Sequence, residues 1–101
     1  MYTYVASWKP IQDKEPQATA MLKEACAYAN REHPPAEPWQ VFTTVIAGED
    51  RIYVAGGFES LSWFEGHLAW MSNDPKWPGL WKDATALVVS GGFSSMLLRQ
   101  A

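Results

Sequence analysis

Cysteine is nearly missing from this chain. Cys26 stands alone among 101 residues, which rules out a disulfide within one copy and any zinc site built from several of its thiolates. Flanked by Ala25 and Ala27 on a helical stretch, it reads as a small hydrophobe, consistent with a reducing compartment. Positive charge is also sparse: eight basic against eleven acidic residues leave a net charge of −3, and the basic residues are scattered. Binding by phosphate neutralisation is excluded, so no nucleic acid partner is expected. No apolar run approaches the roughly 20 residues that a membrane helix requires, so no membrane partner is expected either. Met1-Tyr2-Thr3-Tyr4 lacks the charged and apolar regions of a secretion signal, and the expected location is cytoplasmic. The chain has no Gly-x-Ser-x-Gly nucleophile pattern, and its glycine pairs, Gly56-Gly57 and Gly91-Gly92, do not form a phosphate-binding loop. Neither histidine has a second ligand at metal spacing.

Aromatic residues, by contrast, are plentiful. Six tryptophans in a single-domain length, 1–101, are more than one small core requires, so part of that surface is expected to meet a ligand or partner. Tyr2 to Trp8 is rich in aromatic and β-branched residues and predicts a strand. Pro16 suits a first helical turn, and Met21, Leu22, Ala25, Cys26, Tyr28 and Ala29 recur at helical spacing until Pro34-Pro35 stops them. His33 falls at that helix end, where an imidazolium would suit the dipole. A hairpin is predicted from Trp39–Ala47, a turn at Gly48-Glu49-Asp50, and Arg51–Phe58. Gly56-Gly57 marks either a bulge or a close backbone approach. A second helix begins at a capping box, Ser62 to Glu65, or at Ser60, and carries Phe64, His67, Leu68 and Met71 on one stripe. Asn73-Asp74-Pro75 should break it and restart a helical turn bearing Trp77, Leu80 and Trp81. Thr85–Phe93 is the predicted fourth strand, with Met96-Leu97-Leu98 as an extension past a bulge or an arm.

The order is β-α-β-β-α-β, an α+β, ferredoxin-like plan with a four-stranded antiparallel sheet and two helices on one face, the second broken near Pro75. The strands are apolar on both parities: Val41, Thr43, Val45 and Ala47 alternate with Phe42, Thr44 and Ile46, and Val88 opposes Leu87 and Val89. Both sheet faces therefore need covering. A second copy in a two-fold homodimer is the simplest cover.

From Phe58-Glu59-Ser60 through Trp63-Phe64-Glu65-Gly66-His67-Leu68 to Asp74-Pro75-Lys76-Trp77, the chain resembles the dimeric α/β-barrel superfamily. Within it, the resemblance is to antibiotic-biosynthesis-monooxygenase-like and NIPSNAP-like proteins. This superfamily holds cofactor-independent monooxygenases, haem-degrading enzymes, polyketide-type cyclases, isomerases and members without known chemistry. The residue set of the haem-degrading members is not reproduced. Trp8 falls near their asparagine position, Phe58 takes their tryptophan position, and no histidine occurs around Trp81-Lys82-Asp83. No haem, metal or other cofactor is expected.

The resemblance implies a cavity between sheet and helices, lined by Tyr4, Trp8, Phe58, Phe64, His67, Trp70 and Trp81. Its partner would be a small hydrophobic or aromatic molecule. His67 is ionisable near neutral pH and sits on the apolar stripe, so it is either a packed structural histidine or, with Tyr4, a proton-transfer group. Three readings stay open: cofactor-independent monooxygenase, polyketide-type cyclase or isomerase, and non-catalytic binding or interaction module.

Overall fold

The computed structural model describes residues 1–45 and 48–101. The elements run β1 (Tyr2–Trp8), α1 (Glu15–Glu32), β2 (Glu37–Thr43), β3 (Ile52–Phe58), α2 (Leu61–Asn73), α3 (Trp77–Thr85) and β4 (Ser94–Arg99). The strands form one antiparallel sheet in the order β2-β3-β1-β4. The fold is the expected ferredoxin-like α+β plan, with α2 and α3 as the broken second helix. No helix among the described residues is long and apolar enough to cross a membrane.

Alternation sorts each strand into an inner face under the helices and an outer face. Tyr4, Ala6 and Trp8 of β1 point inward, beside Val54 and Trp39. α1 closes over them with Ala18, Leu22, Ala25, Cys26 and Ala29, a stripe at three- and four-residue spacing. Pro16 lies in its first turn, where the absent N–H has no helical partner to lose. Phe58, Leu22 and Ile52 are the largest fully buried side chains. Truncating Phe58 to Ala would cost about 3–5 kcal/mol.

The breaks are chemically explicit. Ser60, in extended conformation, caps α2 by accepting the Trp63 N–H at 3.1 Å, so it outcompetes the Ser62 capping box. Asp74 ends α2. Its Oδ2 accepts the N–H groups of Lys76 (3.1 Å) and Trp77 (3.0 Å) and the Tyr28 hydroxyl (2.8 Å), which ties the start of α3 to α1.

Two strand assignments need correction. The fourth strand is not Thr85–Phe93 but Ser94–Arg99. Thr85 completes α3 and donates its hydroxyl to the Trp81 carbonyl at 2.8 Å. Beyond it, only an isolated bridge joins Val88 to Pro10, and the Val89 N–H donates to the Lys9 carbonyl at 2.7 Å. Gly91, at φ 81°, then turns the chain onto the edge of β1. The β-branched run is thus divided between a helix end and a single bridge, because packing of α3 against α1 outweighs strand propensity. The second strand also stops early. Thr44 still donates its N–H to the Arg51 carbonyl at 3.3 Å, but its Oγ1, not its carbonyl, accepts the Arg51 N–H at 3.2 Å, and Val45 is solvated; the expected continuation through Ile46 and Ala47 lies outside the described residues.

Both readings of Gly56-Gly57 meet at one place. The pairing skips from Glu37↔Gly57 to Gln40↔Ala55, so the extra residue bulges from β2 rather than from the glycine strand. Trp39, on the bulge, lays its six-membered ring against Gly56, where any Cβ would overlap it. Asn30 of α1 fixes that bulge, donating to the Trp39 carbonyl at 3.0 Å and accepting the Trp39 N–H at 2.8 Å.

Candidate ligand cavity and histidine pair

The clamp on Trp39 and the break at Asp74 leave a cavity of about 110 Å³ between sheet and helices. Tyr4, Ala6 and Trp8 form its floor. Leu22, Cys26 and Ala29 close it from α1, and Phe64, His67 and Met71 close it from α2. Trp77 and Trp81 of α3 complete the wall, with half-exposed Leu68 and Phe93 at the rim. The walls are almost wholly apolar. The Cys26 thiol is pushed up to about 12 by burial, so it serves as wall rather than nucleophile. A broader groove of about 860 Å³ between Lys9–Pro16 and Gly48–Asp50 is polar and apolar in similar measure and, among the described residues, is lined by no histidine, cysteine or aromatic residue. No cluster of three potential metal ligands occurs among the described residues.

Five of the expected lining residues, Tyr4, Trp8, Phe64, His67 and Trp81, do border this cavity. Tyr4 meets Trp39 edge-on at 6.2 Å and tilts against Phe64 at 5.2 Å, while Trp8 packs edge-on against Trp81 at 5.4 Å. Phe58 and Trp70 do not line it. Phe58 is sealed in the core, stacked on Phe64 (5.0 Å) and Trp63 (5.3 Å), because the end of β3 runs beneath the first turn of α2. Trp70 stands behind His67, stacked on both histidines and on Tyr28.

His67 is 4% exposed and boxed by rings: Trp63 at 4.8 Å, Trp39 at 5.4 Å and Trp70 at 5.4 Å. Its Nδ1 lies 3.0 Å from Nδ1 of His33, the only hydrogen bond the His67 ring makes among the described residues. One nitrogen must donate and the other accept, so the two rings carry complementary tautomers. Burial, and secondarily the nearby His33, push His67 down to about 4, and it is neutral at physiological pH. Next to it, the buried Trp39 Nε1 has no hydrogen-bond partner among the described residues.

The sequence pattern did not pair His33 with His67. Helix-end chemistry explains where His33 sits on α1 but not what the end of α1 touches. Trp39 was likewise hidden, since its position depends on a bulge no local motif announces. The two prolines after His33, which stop α1 at the height of His67, are the one available signal.

Solved structures share the whole topology. A NIPSNAP family protein of unknown function from Agrobacterium tumefaciens superposes with a TM-score of 0.81 at 16% identity, covering 100% of this chain and 88% of that one. An uncharacterised NIPSNAP domain protein from Burkholderia xenovorans gives 0.81 at 11% identity, covering 100% and 95%. An antibiotic biosynthesis monooxygenase gives 0.72 at 11% identity, covering 100% and 99%. The chain has the NIPSNAP and antibiotic-biosynthesis-monooxygenase fold. At these identities the likeness carries architecture and not activity. No protein-family model matches the sequence, and no curated protein is significantly similar to it.

Proposed function

We propose that the cavity binds a small, flat, mainly apolar molecule and that His67 removes a proton from it, as in cofactor-independent monooxygenation. The observation that carries this reading is one neutral imidazole on the wall of an otherwise almost wholly apolar cavity, beside an indole N–H with no acceptor among the described residues. A small shift of the Trp39 ring would let Nε1, closed off from the cavity here, donate to a substrate oxygen, and an adjacent acidic C–H would face His67. Deprotonation gives an enolate, which passes one electron to dioxygen. Collapse of the radical pair forms the C–O bond of a peroxide anion, which takes a proton back from His67 to become the hydroperoxide, and loss of water leaves a ketone. Overall, a methylene and O₂ become a carbonyl and H₂O. Tyr4, on the cavity floor, would orient the ring, with Trp8, Phe64 and Trp81 as apolar walls.

The size limits the ligand to about one aromatic ring, since an apolar cavity of about 150 Å³ accepts benzene and this one, at about 110 Å³, is smaller but open at its rim. Incubation with small enolisable aromatic ketones under ¹⁸O₂ tests the reading. One labelled oxygen in the product supports it. Rearranged product without label would point to an isomerase or cyclase using the same base.

A second reading has a specific observation in its favour. At about 110 Å³ the cavity is smaller than the roughly 300 Å³ at which ligand sites usually begin, as expected if the aromatics only fill a binding or interaction module. Absence of both turnover and saturable quenching of tryptophan fluorescence by such ketones would select it.

In either reading we propose that the working unit is a homodimer formed through the outer sheet face. Thr3 and Val5 of β1 lie there beside Ala55 of β3 and the half-exposed Met96 and Leu98 of β4, with half-exposed Phe42 on β2.

A further inference from the structure

We propose that His33 and His67 form a two-ring proton relay that connects the cavity with solvent. The inference rests on the cavity being the reaction site. His67 reaches the cavity, while His33 lies outside it and is only half-buried. The two Nδ1 atoms are 3.0 Å apart, so in each ring Nε2 lies on the side away from the contact, and the relay assigns that of His67 to the cavity it lines and that of half-buried His33 to solvent.

The relay answers a problem in the proposed chemistry. A proton that stayed on His67 would put a charge among Trp39, Trp63 and Trp70, where burial opposes it. In the starting state His67 carries its proton on Nδ1 and donates it to His33 Nδ1. This arrangement leaves a lone pair toward the apolar cavity and places the second N–H of the pair on His33, where water can meet it, instead of leaving an N–H orphaned inside. When His67 Nε2 takes the substrate proton, its Nδ1 proton crosses to His33 Nδ1, and His33 releases its Nε2 proton to water. One proton leaves the substrate, one enters solvent, and His67 ends neutral. The pair is then left in the opposite tautomers, with an N–H at His67 Nε2 able to protonate a product oxygen. As His67 Nε2 gives up that proton, the Nδ1 proton of His33 crosses back to His67 and His33 Nε2 takes one from water, which restores the starting state.

Among the described residues, no hydrogen bond or ion pair joins a charged side chain to either ring. On α1 the ionisable neighbours of His33 in sequence are Arg31 and Glu32, paired with each other at 3.6 Å. α2 contributes His67 with the neutral rings of Trp63 and Trp70, and β2 contributes Trp39. His33 is therefore a positioning and relay residue, acting on substrate only through His67.

The test combines ¹⁵N NMR of the imidazoles with deuterium uptake from D₂O into 2-indanone, a small enolisable ketone, for the parent, His33→Gln and His67→Gln. Melting curves serve as a control for folding. In the parent at pH 8, one ring should be protonated at Nδ1 and the other at Nε2, and His33→Gln should redistribute the His67 tautomers. Exchange should fall roughly 10-fold or more in His33→Gln at unchanged 2-indanone affinity, and roughly 100-fold or more in His67→Gln. Matching tautomers in the two rings, or a His67 tautomer indifferent to His33→Gln, would overturn the relay. So would exchange lost in His67→Gln but intact in His33→Gln, an outcome that leaves the proposed function standing. A parent that exchanges no faster than buffer would sink both.

Discussion

His67 trades water for three indole rings and one imidazole, and that exchange makes stability depend on pH. In the unfolded chain the ring binds a proton near pH 6.5; folded, it does so only near 4. Between those values the unfolded state holds more protons, so stability rises with pH across the window. The contribution is full above about pH 6.5, drains as the pH falls, and is gone below about 4. With allowance for solvent near the half-exposed His33, it amounts to about 2 kcal/mol, or about 10 °C in melting temperature for a domain of this size. Thermal melts of the parent between pH 7 and 4 should show that loss in excess of His67→Gln, whose side chain does not titrate; parallel curves would mean that the imidazole is not held neutral. Glycines provide a second contrast at this scale. Gly56→Ala should destabilise by at least about 2 kcal/mol, because its methyl would enter the Trp39 ring that Asn30 holds in place. Gly66→Ala, on the exposed side of α2 with open space around it, should stabilise by about 0.5–1 kcal/mol. Urea titration of both variants measures the two signs against each other.

Asp74 shows how a single side chain sets the meeting of elements. Burial pushes its carboxyl up, but the Tyr28 hydroxyl and the N–H groups of Trp77 and Lys76 outweigh that, and the net shift is downward. Its partner Tyr28 is pushed up to about 12, first by the same hydrogen bond. Ser60→Ala removes one cap from one helix and should cost about 1 kcal/mol. Asp74→Ala removes a cap and the link to α1 together, so its melting temperature should fall further, and Tyr28→Phe should add little in that background. Equal losses for the two cap variants would show that the link to α1 contributes nothing. This junction was legible in the sequence, since Asn73-Asp74-Pro75 is local chemistry, as are β1, the Pro16 start of α1 and the Pro34-Pro35 stop. The position of β4 was not. Leu87-Val88-Val89 has strand propensity, yet it follows a helix turn that packs on α1, and the true edge strand, Ser94–Arg99, is exposed along its length and so shows no alternation. The same limit applied to the site. Tyr4, Trp8, Phe64, His67 and Trp81 fall on cavity-facing positions of regular elements, whereas the pairing of His33 with His67 and the seating of Trp39 exist only once α1, α2 and the β2 bulge are assembled.

At the scale of the whole molecule, one sheet face remains to be explained. The inner face is filled by three helices, but the outer one presents Val5, Ala55, Met96 and Leu98 on neighbouring strands, flanked by Phe42 and Tyr53. Arg51 polices one end of it, with Nε donating to the buried Ser7 hydroxyl at 3.1 Å and Nη2 to the Gly92 carbonyl at 2.5 Å, so polar groups there are satisfied within the chain. The apolar remainder suits its own copy, because a two-fold pair sets the same residues against each other and needs no second sequence. A face of this kind should associate at micromolar concentration or below. Light scattering of the parent should then return twice the 11.3 kDa chain mass. Met96→Glu places a carboxylate on that face, and two-fold symmetry places two, so the expected product is a folded monomer with the parent's circular dichroism. Val54→Asp, on the inner face beside the cavity and 9% exposed, should instead lose the fold, which separates interface from core. A parent that scatters as a monomer at about 10 μM, or a Met96→Glu variant that stays dimeric, would mean that the outer face is not where two copies meet.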